Sequence, residues 1–387
     1  MDRDLASWAR SAPRWLWALA VALLCAACGG GVGTGGTGAF ASGPITGFGS
    51  IVVNGVHFDE SAARVEDDDG SGRSRDELRL GMMVEVQSGE IRDGAATASQ
   101  VRIVSALVGA VQSKASDSLV VNGLTVRINA GTVVDDSLTG GLAGVDIGRV
   151  VEVFGFVEPV QGSVIATRIE PDDNAAAFKF RGVVANFSAL ARTFDIGGQH
   201  FVYSGQVSGV GELRNGALVR VQVQTQVDAL GRWVVKSIGN TGPGGGDRDQ
   251  AKARGVITSF ASNASFTVDG FAVDASAAQI EGGPLAAGLR VEVEGRLQAG
   301  VLIASSVEVE DDDEHDELEL RGVIATLDDQ AKVFTISGRS ERISYAGSVQ
   351  YERGSAADLL PGRRVRATGM LSPDGTQLDA THIRFDN

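Results

Sequence analysis

The chain is poor in the residues that most often carry chemistry or recognition. Its 387 residues include 2 cysteines, 4 histidines, 3 tyrosines, 4 tryptophans and 8 prolines. Both cysteines, Cys25 and Cys28, lie near the N-terminus, so a disulfide-stapled scaffold is excluded. No apolar run beyond that region is long enough to cross a bilayer as a helix, which excludes a helical multi-span membrane protein. Helical spacing of apolar residues is nearly absent, apart from short turns such as residues 355–359. Positive charge is in deficit, with 34 Lys and Arg against 49 Asp and Glu, a net charge of −15. What is abundant is apolar residues, at 43%, and glycine, at 52 residues. The first excludes a wholly disordered acidic chain, and the glycines lack the triplet period of collagen.

Residues 1–27 read as an export signal. Arg3, Arg10 and Arg14 make a positive start, and an apolar core runs from Trp15 to small residues before Cys28. At roughly 13 residues that core is short for a membrane span, and its small-residue end suggests cleavage. Leu24-Cys25-Ala26-Ala27-Cys28 resembles a lipoprotein box, with Cys28 the acyl acceptor and Cys25 standing where Leu or Val is usual. An ordinary secretory signal is the alternative. Acyl chains on Cys28 would hold the protein on a bilayer, each buried methylene contributing roughly 0.8 kcal/mol. Gly29 follows the cysteine in place of Asp, which by analogy with such lipoproteins points to an outer membrane. Residues 29–38 hold seven glycines and two threonines, the composition of a flexible tether. A phosphate-binding loop is the alternative, but no Gly-Lys-Ser/Thr follows.

One pattern then recurs five times. A glycine followed by strand-forming residues opens each copy, at Gly47, Gly109, Gly182, Gly255 and Gly322. Next come β-formers ending in a turn pair: Asn54-Gly55, Asn122-Gly123, Gly197-Gly198, Asp269-Gly270 and Ser337-Gly338. Asn, Asp and Gly tolerate positive φ, so these pairs close hairpins. A third landmark alternates apolar with charged residues, as in Val84-Glu85-Val86, Val151-Glu152-Val153, Val219-Arg220-Val221, Val291-Glu292-Val293 and Val365-Arg366-Ala367. That alternation predicts a strand with one face in a core and the other in water. A second alternating strand closes each copy.

These features predict an all-β chain: a tandem array of about five small OB-like β-barrels, or short β-sandwiches, after a signal peptide and tether. Closed barrels would leave few exposed strand edges. The expected divisions are a signal at 1–27, a tether at 28–44, and modules at 45–105, 106–171, 178–240, 253–310 and 318–387. A glycine-rich linker occupies 241–252 and an acidic linker 311–317. Charged joints between modules predict separate beads rather than a continuous core.

The run Gly-x-Val/Ile, Phe-x-Val/Ile-x-Gly, Gly-x-x-Val-x-Val-x-Gly and Ala-x-x-Ile/Val resembles the repeats of domain-of-unknown-function family 5666, found in bacterial envelope lipoproteins. Copy four matches best, through Gly255-Val256-Ile257, Phe266-Thr267-Val268-Asp269-Gly270, Gly288 to Gly295 and Ala304 to Val307. Copy three departs near Gln224, where the usual glycine is missing. The resemblance implies fold and location, and brings neither a catalytic motif nor a ligand.

The search for chemistry finds little. His57, His200, His315 and His382 lie in different copies or in a joint, without a second zinc donor at ligand spacing. No Gly-x-Ser-x-Gly elbow and no cysteine nucleophile outside the N-terminal region is present. Two acidic runs are candidate calcium sites. In the first, Asp67 and Asp69 fall on EF-hand positions three and five, but Val65 falls on position one and Asp76 on position twelve. The second, Glu308 to Glu317, offers Asp311 and Asp313. Solvated, self-repelling joints are the plainer reading of both. Without residues 1–27 the chain keeps 31 basic and 47 acidic side chains, net −16, which argues against nucleic acid. Its one remaining tryptophan, Trp233, is the sole candidate platform for a sugar ring, although a core or rim filler is the plainer reading.

The expectation is therefore a non-catalytic, outer-membrane-anchored lipoprotein that needs no cofactor. Its partners would be the lipid bilayer and an envelope protein or polysaccharide. A carbohydrate-binding array, with calcium as an accessory ion, and an unrecognised envelope hydrolase are the alternatives.

Overall fold

Within each repeat, the period-two alternation of Val with polar residues makes strands, and glycine pairs turn them back on one another. The structure, a computed structural model, describes residues 38–138, 140–159, 162–240, 242, 246–311 and 317–386. The expected signal, Cys28 and tether residues 28–37 lie outside the described residues. Copy five shows the plan of every repeat. Its opening strand, Leu318–Asp328, pairs with the second, Val333–Ile336, and the second with the third, Arg342–Ser344. The third runs parallel to the closing strand, Gln377–Asp386, which pairs with the fifth, Arg364–Leu371. The fifth returns to the opening strand, from Leu318↔Gly369 to Val323↔Arg364. This circuit is a small five-stranded barrel of OB type. A short fourth strand, Gln350–Glu352, lies beside the closing strand. The short turn foreseen at 355–359 is a 3-10 turn over Ala356–Asp358.

The repeat glycines have physical reasons. On the fifth strand Gly155, Gly295 and Gly369 sit at register shifts where the backbone of the closing strand comes too near for a side chain. In copy three the shift falls between Gln222 and Val223, so Val223, not Gln224, stands in the glycine's place.

The structure corrects the register of copy one. Its opening strand spans Ala39–Phe48, and the glycine facing Val84 of the fifth strand is Gly43, as Gly322 faces Val365. The tether therefore ends before residue 39, not at 44. Likewise strand structure begins at Arg248, inside the expected 241–252 linker. Gly47, which the sequence pattern took for the repeat glycine, has another task. It lies against Glu319 of copy five, where a Cβ would come 2.7 Å from the carbonyl oxygen.

That contact overturns the expectation of separate beads. The copy-one opening strand pairs in parallel with copy four through Ala39↔Gln250 to Ser42↔Ala253. Beyond its middle it pairs in parallel with copy five through Gly47↔Glu319 and Phe48↔Leu320. The opening strands of copies two and three pair antiparallel, at Leu107↔Phe180 and Val108↔Lys179. Residues 38–387 cluster as one unit, and the cores merge: Phe48 and Phe385 share one cluster, Phe156 of copy two joins it, and Leu107 and Phe180 share another. Strand edges left by each barrel are thus covered by a neighbouring barrel.

Replacing Gly295 with Val should test this coupling. The new Cβ would run into the Ile303 carbonyl oxygen, and overpacking of this kind costs about 1–3 kcal/mol. Hydrogen exchange is expected to accelerate in copy four and in residues 39–42 together. Acceleration confined to copy four would mean that the barrels are energetically independent.

Candidate functional site

The alternating fifth strand turns its valines into each barrel and its charged residues outward. In copies one to three the outward face does not meet water, as the sequence pattern predicts, because other copies cover it. Side chains of Glu85 and Glu152 are 8% and 9% exposed, and that of Arg181, on the copy-three opening strand, is 4% exposed. The result is a buried ionic junction at which copies one to four meet.

Its centre is Lys179 of copy three. The ammonium lies 3.2 Å from Asp67 Oδ1 and 3.1 Å from Asp68 Oδ1 of copy one, and 3.8 Å from Glu152 Oε1 of copy two. A tight turn delivers the two aspartates. The Asp67 N–H donates to the Ser71 carbonyl at 2.8 Å and the Gly70 N–H to the Asp67 carbonyl at 3.0 Å. Arg220 of copy three adds a second cation 3.4 Å from Asp68 Oδ2, and Gln222 donates to Asp69 Oδ2 at 3.1 Å. On the far side Arg181 donates to the Asp269 carbonyl of copy four at 3.1 Å and faces its carboxylate at 3.9 Å. Arg102 closes the copy-one side on Glu85 at 3.0 Å.

Burial and charge pull these groups in opposite directions. Burial raises the Asp68 carboxyl to about 6 despite Lys179 and Arg220. It raises Glu85 to about 7 against Arg102, and Glu152 to about 7 against Lys179. Asp269 is also raised by burial, with Arg181 opposing. Asp67 feels burial too, but Lys179 and hydrogen bonds from Asp68 leave it below the ordinary value. Burial would lower Lys179, yet Asp68, Glu152 and Asp67 outweigh it and hold the ammonium charged.

The other candidate residues take quieter places. Trp233 packs in the core of copy three, its ring 5.2 Å from Phe180 and 6.0 Å from Phe178, so it offers no face to a sugar. As calcium ligands the first acidic run fails: Asp67 is paired with Lys179 and Arg73, and Asp69 with Gln222. Asp76 sits in a separate 3-10 turn, Arg75–Glu77. Asp311 is exposed, while Asp313 and His315 lie outside the described residues. Among the described residues no group of three or more His, Cys, Asp or Glu is arranged to hold a metal ion. His57 meets Ser50 at 3.3 Å, His200 meets Asp195 at 2.7 Å, and His382 lies 3.9 Å from Glu352.

Two hollows lie apart from the junction side chains. One, where copies one, two, four and five meet, holds about 60 Å³ between Pro44, Phe156, Arg254, Leu318 and Met370, room for a few waters. The other is an open groove of about 350 Å³ on copy two, lined by Asp117, Ser118, Thr125, Arg127 and Asn129.

A closed ionic centre shared by barrels whose opening strands pair with one another defines a tandem-repeat β protein of OB-type modules. The family model described as "Domain of unknown function (DUF5666)" matches residues 42–102, 108–170, 254–308 and 321–384. The chain belongs to that family. The matches begin one residue before Gly43, Gly109, Gly255 and Gly322, in agreement with the structural register. Copy three, which lacks the bulge glycine, folds alike but lies outside the matched segments. No curated protein matches the chain.

Two outcomes test the junction. Lys179→Met leaves three buried carboxylates without their shared cation, and should destabilise the body by about 3–5 kcal/mol in chemical denaturation. The raised carboxyls give the pH dependence its sign. Unfolded carboxyls titrate near 4, so between about pH 4 and 7 the folded chain binds more protons, and stability falls as pH rises. The melting temperature is expected to be higher at about pH 5.5 than at about pH 7.5, with Glu85→Gln flattening part of the difference.

Proposed function

We propose that the protein is a non-catalytic, lipid-anchored scaffold of the bacterial cell envelope, with a five-barrel body that presents surfaces to another envelope protein. The observation that carries this reading is the ionic junction. The clustered titratable side chains, Lys179, Asp67, Asp68, Glu152 and Arg181, are engaged with other copies and closed to a substrate. Groups so placed hold barrels at fixed relative positions instead of acting on a ligand. The lipoprotein box before Cys28 and the glycine tether supply the anchoring half of the reading. A polysaccharide partner has one feature in its favour, the polar groove on copy two, but that groove lacks an aromatic platform.

Replacement of Cys28 by Ser tests the anchor. Wild-type protein is expected in the membrane fraction and labelled by radioactive palmitate, and the variant in neither state. A Cys28→Ser protein that still carries lipid would overturn the lipoprotein reading.

A further inference from the structure

The five barrels carry one surface in common, and copies four and five leave it open. Hydrogen-bond register places the residue before the repeat glycine beside the outward residue of the fifth strand, and that beside one on the closing strand. In copy three the row begins Arg181↔Arg220. In copy five it is Arg321↔Arg366↔Arg384, three arginines directly opposite one another on adjacent strands. Like charges so placed destabilise a sheet unless an anion answers them. Copy three shows how the chain answers: Arg181 and Arg220 face Asp269 of copy four and Asp68 of copy one.

Among the described residues, the ion pairs of the copy-five row are all with carboxylates of copy five itself. The side chains of Arg321, Arg366 and Arg384 are 39%, 27% and 31% exposed, and Arg364 beside them is exposed. Glu319 answers Arg366 at 3.1 Å, and Asp386 is shared by Arg321 at 2.7 Å and Arg384 at 3.4 Å. Among the described residues two carboxylates thus pair with three guanidiniums, while Glu352, beside Arg384 on the fourth strand, faces Arg353 at 3.6 Å and His382 at 3.9 Å. The Arg366 Nε lies buried without a hydrogen-bond partner, and Arg364 makes no ion pair among the described residues. The same row in copy four, Arg254↔Glu292↔Glu308, opens on an arginine that is buried and paired with Glu310 at 2.7 Å, so that its outer part, continued by Glu281 of the fourth strand, is acidic. Glu292↔Glu308↔Glu281 are neighbours across three strands, and Glu281 and Glu308 are exposed. Lys252 answers Glu292 at 2.8 Å and is shared with Glu294 at 2.9 Å.

We propose that the arginine row of copy five docks the glutamate row of copy four in a second molecule of this chain. Copy three offers the precedent inside one molecule, its basic row set against aspartates of copies four and one. It joins two different faces, so it is heterologous and its propagation builds a head-to-tail chain of molecules. The inference deepens the scaffold reading by naming the partner, and its test does not depend on the anchor.

Full-length protein purified in detergent, followed by sedimentation velocity over a range of concentrations, is the experiment. Self-association is expected at low salt and should weaken at least tenfold in high salt, as contacts between charged rows are screened. Arg364→Glu with Arg384→Glu, and separately Glu281→Arg with Glu308→Arg, should each weaken self-association at least tenfold. An equimolar mixture of the two variants should restore association, because each supplies the complement of the other's changed face. These residues lie on the surface, and unchanged melting curves would establish that the variants fold. Monomeric wild-type protein, association indifferent to both reversals, or binding of the arginine row to anionic lipid vesicles in place of self-association would each overturn the proposal. Cross-linking in cells separates the two readings: a different envelope protein captured without self-contacts would sink this inference and leave the scaffold standing.

Discussion

The ammonium of Lys179 is the point on which the body is assembled. Lys179 sits on the copy-three opening strand, beside Val108 of copy two, and reaches carboxylates of copies one and two at once. Removing a charge from water costs several kcal/mol, and geometry must repay it. That demand fixes the relative position of three barrels more tightly than apolar contact would, because hydrophobic surfaces slide and ion pairs do not. Arg181, two residues along, extends the same logic to Asp269 of copy four. Copy five joins by another route, through the copy-one opening strand and a merged apolar core.

Much of the fold was legible because it is local. Hairpin pairs such as Asn54-Gly55, Asn122-Gly123 and Asp269-Gly270 announce themselves: each first residue takes positive φ, at 50°, 49° and 47°. The valine alternation on the fifth strand marks one face of a barrel wall with equal clarity. Register in copy one was harder. Gly43 and Gly47 both precede strand-forming residues, and only pairing with Val84 or with Glu319 tells the repeat glycine from the docking glycine.

The junction itself was illegible for a different reason. Period-two alternation says which face of a strand is apolar; it does not say what covers the other face. Glu85, Glu152 and Arg220 read as solvated residues, and identical reasoning would be right for Glu308, which is exposed. Only the fold distinguishes them. The acidic stretch at Asp67 to Asp69 shows the same blindness: it reads as a joint or a cation loop, and is instead the counter-charge to Lys179 and its neighbours. Trp233 reads as a core or rim residue before it reads as a sugar platform, and the fold buries it against Phe178 and Phe180.

The copy-one opening strand has a consequence for how the chain acquires its shape. Its residues 39–42 are made early, yet their partners at 250–253 come about 210 residues later, and Glu319 later still. Loop closure over such separations is slow, and a strand waiting for a distant partner keeps its hydrogen-bonding groups exposed meanwhile. Copies two and three, adjacent in the chain, can pair as soon as both exist. Pairing between copies two and three thus spans a short stretch of chain, whereas the edge of the copy-one opening strand is covered only once copies four and five exist.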